Sequence, residues 1–170
     1  SLLIKKLSLQ YMKAATLKEV KTELNYKSHS ELLEICLRLS RFKKENKELL
    51  TYLLFEISDE EKYIESIQRT IDVEFDSINT DSYFYMRKSI RKILRLLKKY
   101  IRYSQNKETE VELLLYFSKK LKQFYPSIFK SKALANLFQR NMDFVEKKIS
   151  LLHEDLQYDY QQEIDRLTNN

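Results

Sequence analysis

The chain has 170 residues, with 31 basic and 25 acidic side chains and a formal net charge of +6. Apolar residues make up 43% of it and charged residues 33%, which predicts one folded, soluble domain over residues 1–170. The sequence contains no Gly. Tight turns and phosphate-binding loops depend on Gly because it tolerates positive φ. The nucleotide-binding motifs G-x-G-x-x-G and G-x-x-x-x-G-K-[ST] and the nucleophile elbow G-x-S-x-G are therefore excluded.

The single cysteine, Cys36, excludes an intramolecular disulfide and a zinc site built from paired cysteines. It lies in a mostly apolar run, 32–37, so we expect a small buried side chain rather than a reactive thiol. A lone reduced cysteine favours a cytoplasmic protein. No run of about 18 apolar residues predicts a transmembrane segment, and no motif predicts a bound cofactor.

The helix-start signals predict an all-α protein. Four segments fit the capping box, in which a hydroxyl and an acid three residues later satisfy each other's backbone N–H groups; they begin at Thr16, Ser28, Ser58 and Thr109. Asn46 and Ser82 are further predicted N-caps, and Pro126 is predicted to end a helix at Tyr125. We therefore predict helices over 2–13, 17–25, 30–43, 47–57, 59–78, 83–104, 109–125 and 131–167.

The short connections between these seven to eight helices favour antiparallel hairpins in an α-solenoid-like stack. An irregular closed helical bundle is the alternative arrangement. The last predicted helix, 131–167, would be roughly 55 Å long, much longer than its neighbours. Either it bends near His153, or its far end projects and forms a homodimer through this C-terminal helix.

Residues 83–103 form the most distinctive segment, with eight basic side chains and no acid. As a helix it places Met86, Ile90, Ile93, Leu97 and Tyr100 on one apolar edge. Beside that edge lie five cations, which we call the basic stripe: Arg87, Arg91, Arg95, Lys98 and Arg102. The segment therefore predicts a helix that buries one edge and presents a basic one.

Two interpretations of the basic stripe follow from the charges around it. Residues 59–76 and 154–165 are rich in acids and could neutralise the stripe within the molecule, as a packed and solvated helix face. Alternatively, the stripe faces outward and binds nucleic acid, an acidic protein or a membrane surface. Five aromatic residues would then flank it and stack on unpaired bases: Tyr83, Phe84, Tyr85, Tyr100 and Tyr103.

Catalytic and metal-binding patterns are weak. His153 has acids near it along the predicted helix, but Ser150 and Gln157 stand where Glu-x-x-His and His-Glu-x-x-His motifs need Glu and His. Asp155, Asp159 and Glu163 step by four residues, which is more typical of a solvated acidic face than of a divalent-cation site. We therefore assign no catalytic residue and no metal ligand.

Together these patterns predict a non-enzymatic helical module that binds another protein. The alternative function is nucleic-acid binding through helix 83–104 with the basic stripe. An enzyme or metal site around His153 is the third and least favoured possibility.

Overall fold

The computed structural model describes residues 13–169 of the chain. This part is all-α, as predicted, and its helices pack against each other. Eight α-helices lie within the described range: α1 (Leu17–Asn25), α2 (His29–Phe42), α3 (Lys44–Thr51), α4 (Glu60–Asp76), α5 (Tyr83–Ser104), α6 (Lys107–Gln123), α7 (Lys132–Ile149) and α8 (Glu154–Thr168). A π-helical turn, Tyr52–Glu56, continues α3, and a 3₁₀ turn, Ile128–Lys130, precedes α7. The helix predicted over 2–13 lies outside the described residues apart from Lys13, which is not helical.

Three predicted helix starts are confirmed. Thr16 and Ser28 form capping boxes with Glu19 and Glu31, and the Ser82 hydroxyl accepts a hydrogen bond from the Tyr85 backbone N–H. These helices begin where expected because each has a side-chain oxygen ready to satisfy an otherwise unpaired backbone donor.

The other predicted starts are displaced by a few residues. The caps of α4 and α6 are Asp59 and Asn106, rather than Ser58 and Thr109. Asn46 lies within α3, and its amide donates to the Leu39 carbonyl. Each segment offers several polar residues that could serve as a cap, and tertiary contacts select one of them.

The chain divides between Glu48 and Leu49 into two compact units. Of the first unit, the structure describes α1, α2 and the beginning of α3. None of these three helices contributes a buried residue. The prediction that Cys36 is buried is therefore wrong, since its side chain is exposed on α2.

The second unit is organised around α6. Apolar residues of this helix are buried on several sides, and it contacts α4, α5, α7 and α8. The unit's arrangement is therefore that of the closed-bundle alternative, with one helix at the centre. Its core includes Phe117 and Leu121 of α6, Ile71 of α4, Leu97 of α5 and Val145 of α7.

Side-chain contacts give the directions of the helices in this unit. Lys92 on α5 approaches Glu74 on α4 at 3.5 Å, and Tyr63 of α4 donates to the carbonyl of Tyr100, so α4 and α5 are antiparallel neighbours, as their short connection predicted. The chain turns again from α6 to α7, where the buried Asn141 amide donates to the Leu114 carbonyl. Consecutive helices thus form antiparallel hairpins.

The helix predicted over 131–167 is two helices. The α7 helix ends at Ile149, and α8 begins at Glu154, immediately after the predicted bend residue His153. The His153 side chain caps α8 by accepting from the Asp155 N–H. Tyr160 and Ile164 of α8 are buried, and α8 packs on α6 and α7, so this end of the chain does not project. The spacing of apolar residues alone could not show where the helix breaks. Both α7 and α8 bury apolar residues in the same core, so the spacing continues across the break.

The Glu60 carboxylate joins four parts of the second unit. It begins α4 and accepts hydrogen bonds from the hydroxyls of Tyr52 at 2.9 Å and Thr109 at 2.7 Å, and from Ser104 at the end of α5. Thr109 is buried, so its hydroxyl has little access to solvent. The carboxylate therefore supplies the acceptor that holds the π-helical turn, α5 and the start of α6 together.

We expect Glu60→Ala to lower the free energy of unfolding by about 1–3 kcal/mol, because three hydroxyls lose a charged acceptor. Glu65→Ala is the matched control, since Glu65 is an exposed acid of the same helix and its ion pair with Arg69 is also exposed. Urea unfolding followed by circular dichroism would measure both. Equal loss in the two variants would contradict the role given to Glu60.

Candidate nucleic-acid interface

The two faces of α5 separate apolar from basic side chains as predicted. Met86, Ile90, Ile93 and Leu97 are buried as predicted. The fifth buried residue is Ile101, whereas Tyr100, which was predicted for this edge, is only partly buried. At about 100° per residue, the middle of this buried face lies about 120° around the helix axis from the middle of the basic stripe. The apolar face packs toward α4 and α6, which leaves the stripe on the outer side of the helix.

The basic stripe is open to solvent. Arg91, Arg95, Lys98 and Arg102 are exposed, and Arg87 is partly buried. The stripe extends for about 22 Å along the helix. Lys88 and Lys92 are also exposed and widen the basic surface.

The acids of α4 do not neutralise the stripe. Within residues 13–169, no stripe residue forms an ion pair with an acid; the link from α4 to this side of α5 is Glu74 with Lys92, which lies beside the stripe. Asp72 turns instead toward α6, where it pairs with Lys120 at 2.9 Å and accepts from the Tyr116 hydroxyl at 2.6 Å. The packing of α4 on α6 thus takes Asp72 away from α5.

The contact between Asp72 and Tyr116 shifts the pKa values of both groups. Burial alone would raise the pKa of Asp72, but the hydrogen bonds from Tyr116 and Lys120 outweigh it and lower that pKa below its usual value. Burial, with the nearby Asp72 carboxylate, raises the pKa of Tyr116 to about 12. The Asp72 carboxylate is therefore charged at neutral pH and engaged on α6.

The acids of the C-terminal segment lie elsewhere as well. The Asp155 carboxylate lies 3.5 Å from Nδ1 of the His153 ring, and Asp165 accepts from Gln161 on the same helix. Glu163 lines a groove with α6 rather than the basic stripe. Among the described residues, neither acidic segment therefore pairs with the stripe, and internal neutralisation is not the arrangement that this structure has.

The five aromatic residues predicted to flank the stripe divide into two groups. Tyr83, Tyr100 and Tyr103 pack against the core, and the Tyr83 hydroxyl donates to the Ser127 carbonyl. Phe84 and Tyr85 are 60% and 46% exposed, with their rings in edge contact at 5.4 Å. Two of the five aromatic side chains are thus available at the surface, both at the beginning of α5.

A second surface feature is a groove of about 830 Å³ among α4, α6 and α8. Acids gather at one end of it, where Glu108 accepts from the Tyr160 hydroxyl at 3.2 Å. Lys119, Lys122 and Arg166 lie toward the other end, and Lys122 donates to the Leu167 carbonyl at 2.5 Å. The groove is polar and contains charges of both signs.

Glu112 is the most perturbed carboxyl of this groove. Burial raises its pKa above the ordinary value, and the neighbouring Glu108, Glu163 and Glu61 raise it further. Sequence analysis missed this residue, because its acidic neighbours come from three helices. The spacing of acids along any one helix does not reveal such a cluster.

The His153 side chain is exposed and does not line this groove. Glu163 lies in the groove, whereas Asp155 remains with His153, so the three acids at steps of four are not brought together there. In the described part of the chain, no group of three or more His, Cys, Asp or Glu side chains could hold a metal ion.

Over residues 13–169, every helix is too short or too polar to cross a membrane. Comparisons with protein-family models, with curated proteins and with solved structures found no match.

We expect Glu112→Gln to raise the melting temperature at pH 7, because the variant removes a charge that burial and three acids disfavour. A carboxyl whose folded-state pKa is raised destabilises the fold most above that pKa, and the effect disappears below its ordinary value of 4.5. Thermal unfolding at pH 7 and pH 4 should therefore show a gain at the higher pH and little at the lower. Glu146→Gln, on the exposed side of α7, is the control.

Proposed function

We propose that this protein binds nucleic acid through the basic stripe of α5. The observation that supports the proposal is that four of the five stripe cations are exposed and that none is paired with an acid of the described chain. A helix face intended only for internal ion pairs would be expected to meet the acids of α4 or α8. Instead, Asp72 of α4 pairs with Lys120 on α6, and within the described residues no acid of α8 pairs with the stripe.

The chemistry of the stripe suits a phosphate backbone. Lysine and arginine gain affinity for nucleic acid by releasing the counterions condensed on it, and arginine adds bidentate hydrogen bonds to phosphate oxygens. Because α5 contains no acid, every charge that this helix itself places along the face is positive. The chain's net charge of +6 favours encounter with a polyanion in the same way.

We expect Arg91→Glu combined with Arg95→Glu to reduce nucleic-acid affinity at least tenfold at about 50 mM salt, since each reversal replaces an attraction with a repulsion. The slope of log affinity against log salt should also become shallower, because fewer counterions are released. Fluorescence anisotropy with labelled single- and double-stranded DNA and RNA, across a salt series, measures both quantities.

The control is Arg140→Glu combined with Lys147→Glu, two exposed cations on α7 with no acidic partner in the described residues. It alters net charge by the same amount as the α5 double variant. If both double variants lose affinity equally, binding reflects net charge and the α5 interface is wrong. An absence of binding by the wild-type protein at low salt would also overturn the proposal.

The leading sequence-based expectation, binding of another protein, remains a second candidate function, and one observation favours it. The α2 helix carries an apolar edge formed by Leu32, Ile35, Leu39 and Phe42, of which Leu39 is 55% and Phe42 76% exposed. Within the described residues Leu32 and Ile35 are partly buried, and Leu39 and Phe42 remain exposed. An amphipathic helix of a partner protein would pack on this edge with apolar residues spaced at i, i+3, i+4 and i+7.

A photo-crosslinking residue in place of Phe42 tests this second candidate in cells. We expect one defined cross-linked protein, which disappears when Leu39→Glu is added because a buried charge opposes helix docking. The same cross-linker in place of Arg41 is the control, since Arg41 lies on the opposite side of α2 from the apolar edge. Equal cross-linking from both positions would contradict a docking site on this edge.

A homodimer through the C-terminal helix and a cytoplasmic location remain predictions. The first now concerns only the exposed side of α8, since its apolar side packs within the chain. The second depends on the lone cysteine. Neither is needed for binding through α5.

A further inference from the structure

Phe84 lies at the head of the basic stripe. It precedes Arg87 by three residues and Arg91 by seven, so at about 100° per residue its ring occupies the same side of α5 as the five cations. The Arg87 guanidinium lies over the ring, 6.0 Å from its centroid. The outer surface of α5 therefore begins with an aromatic ring and continues for four turns as cations.

This ring is not part of the core. Phe84 is 60% exposed, whereas the neighbouring Tyr83 and Met86 pack inward. Tyr85 is also substantially exposed, and the two rings form a T-shaped pair with a centroid distance of 5.4 Å and an interplanar angle of 76°. Phe84 keeps 60% of its surface open to solvent beside this contact, and that exposed surface contributes little to the stability of the fold.

We propose that the ligand of this face is single-stranded nucleic acid, with its phosphates along the basic stripe and an unpaired base stacked on Phe84. This inference rests on the proposed function and specifies the form of the polymer. An aromatic ring finds a flat partner on an unpaired base, whereas the bases of a duplex are stacked on each other and present only their edges. A face that read only a duplex backbone would gain nothing from a phenyl group at its end.

Arg87 completes the arrangement. Its guanidinium is held near the ring, so a nucleotide stacked on Phe84 would have its phosphate within reach of the first cation of the stripe. Tyr85 extends the aromatic surface sideways from Phe84. Stacking at one end and phosphate contacts along the helix are the two components that single-strand-binding surfaces combine.

The test compares three labelled probes of the same length, about twelve nucleotides, within the roughly 4–16 nucleotides that single-strand sites commonly span. They are an oligothymidylate, an abasic strand with the same phosphates and no bases, and a duplex. Oligouridylate is measured in parallel, and the better bound of the two pyrimidine strands identifies DNA or RNA as the ligand. Affinities are measured by fluorescence anisotropy at several salt concentrations.

We expect the wild-type protein to bind oligothymidylate more tightly than the abasic strand. Phe84→Leu keeps an apolar side chain at an exposed position and should abolish that preference, with a loss for oligothymidylate of roughly 5- to 150-fold, the range for one base–aromatic stack. Affinity for the abasic strand and the salt slope should not change. Tyr158→Leu, at an exposed aromatic on α8, is the control and should leave all affinities unchanged.

The outcomes separate this inference from the proposed function. If Phe84→Leu leaves oligothymidylate binding intact while the Arg91 and Arg95 reversal abolishes it, the stacking inference is wrong and nucleic-acid binding through α5 stands. If Phe84→Leu weakens all probes equally, the ring supports the helix rather than a base, and the inference is again wrong. If no probe binds the wild-type protein, both fail.

Discussion

The burial of α6 is the constraint on which the second unit depends. Leu113, Leu114, Leu115, Phe117 and Leu121 are almost completely inaccessible to solvent, so this helix requires neighbours on most of its sides. The four helices α4, α5, α7 and α8 supply them. The buried polar atoms of this helix are satisfied in the same contacts: Ser118 accepts from the Asn141 amide at 2.7 Å, and the Thr109 hydroxyl donates to Glu60. Because apolar residues of α6 fill the centre of the unit, most charged residues of the outer helices lie at the surface.

The outward basic face of α5 follows from this arrangement. Because α4 packs against both α5 and α6, its acids have cations of two helices within reach. Asp72 pairs with Lys120 on α6. The α8 helix lies beside α6 and brings Glu163 toward Glu112, although both are acidic. Packing of the core therefore determines where the helices lie. The charged residues that become neighbours follow from those positions, whether their charges attract or repel. In the groove among α4, α6 and α8, these positions bring acids together and raise the pKa of Glu112. At α5 they leave the basic stripe without acidic partners among the described residues.

Much of the candidate site could be predicted from the sequence, because it lies on one helix. The bounds of α5, its Ser82 cap, four of its five buried residues and the common side of the five cations all follow from spacing within 22 residues. The aromatic residues were only partly predictable, since spacing marks five candidates and cannot tell that Tyr83 reaches Ser127 while Phe84 remains exposed. The roles of Glu60 and Glu112 were not predictable, because most of their partners are more than 40 residues away along the chain. For Cys36 the sequence predicted burial and the structure shows exposure. Apolar neighbours along the chain do not ensure that another helix packs over the residue.

The sequence by itself determined that this protein is helical, which edge of each helix is apolar and that α5 carries a dense positive charge without acids. These are local properties, decided by helix caps, by the 3.6-residue period and by the absence of Gly. Only the tertiary structure decided that the predicted long last helix turns back at His153, that α6 occupies the centre and that the acids of α4 and α8 leave the basic stripe unpaired. Burial and ion pairing depend on which distant segments share a core, and a periodic pattern carries no information about the identity of its neighbour.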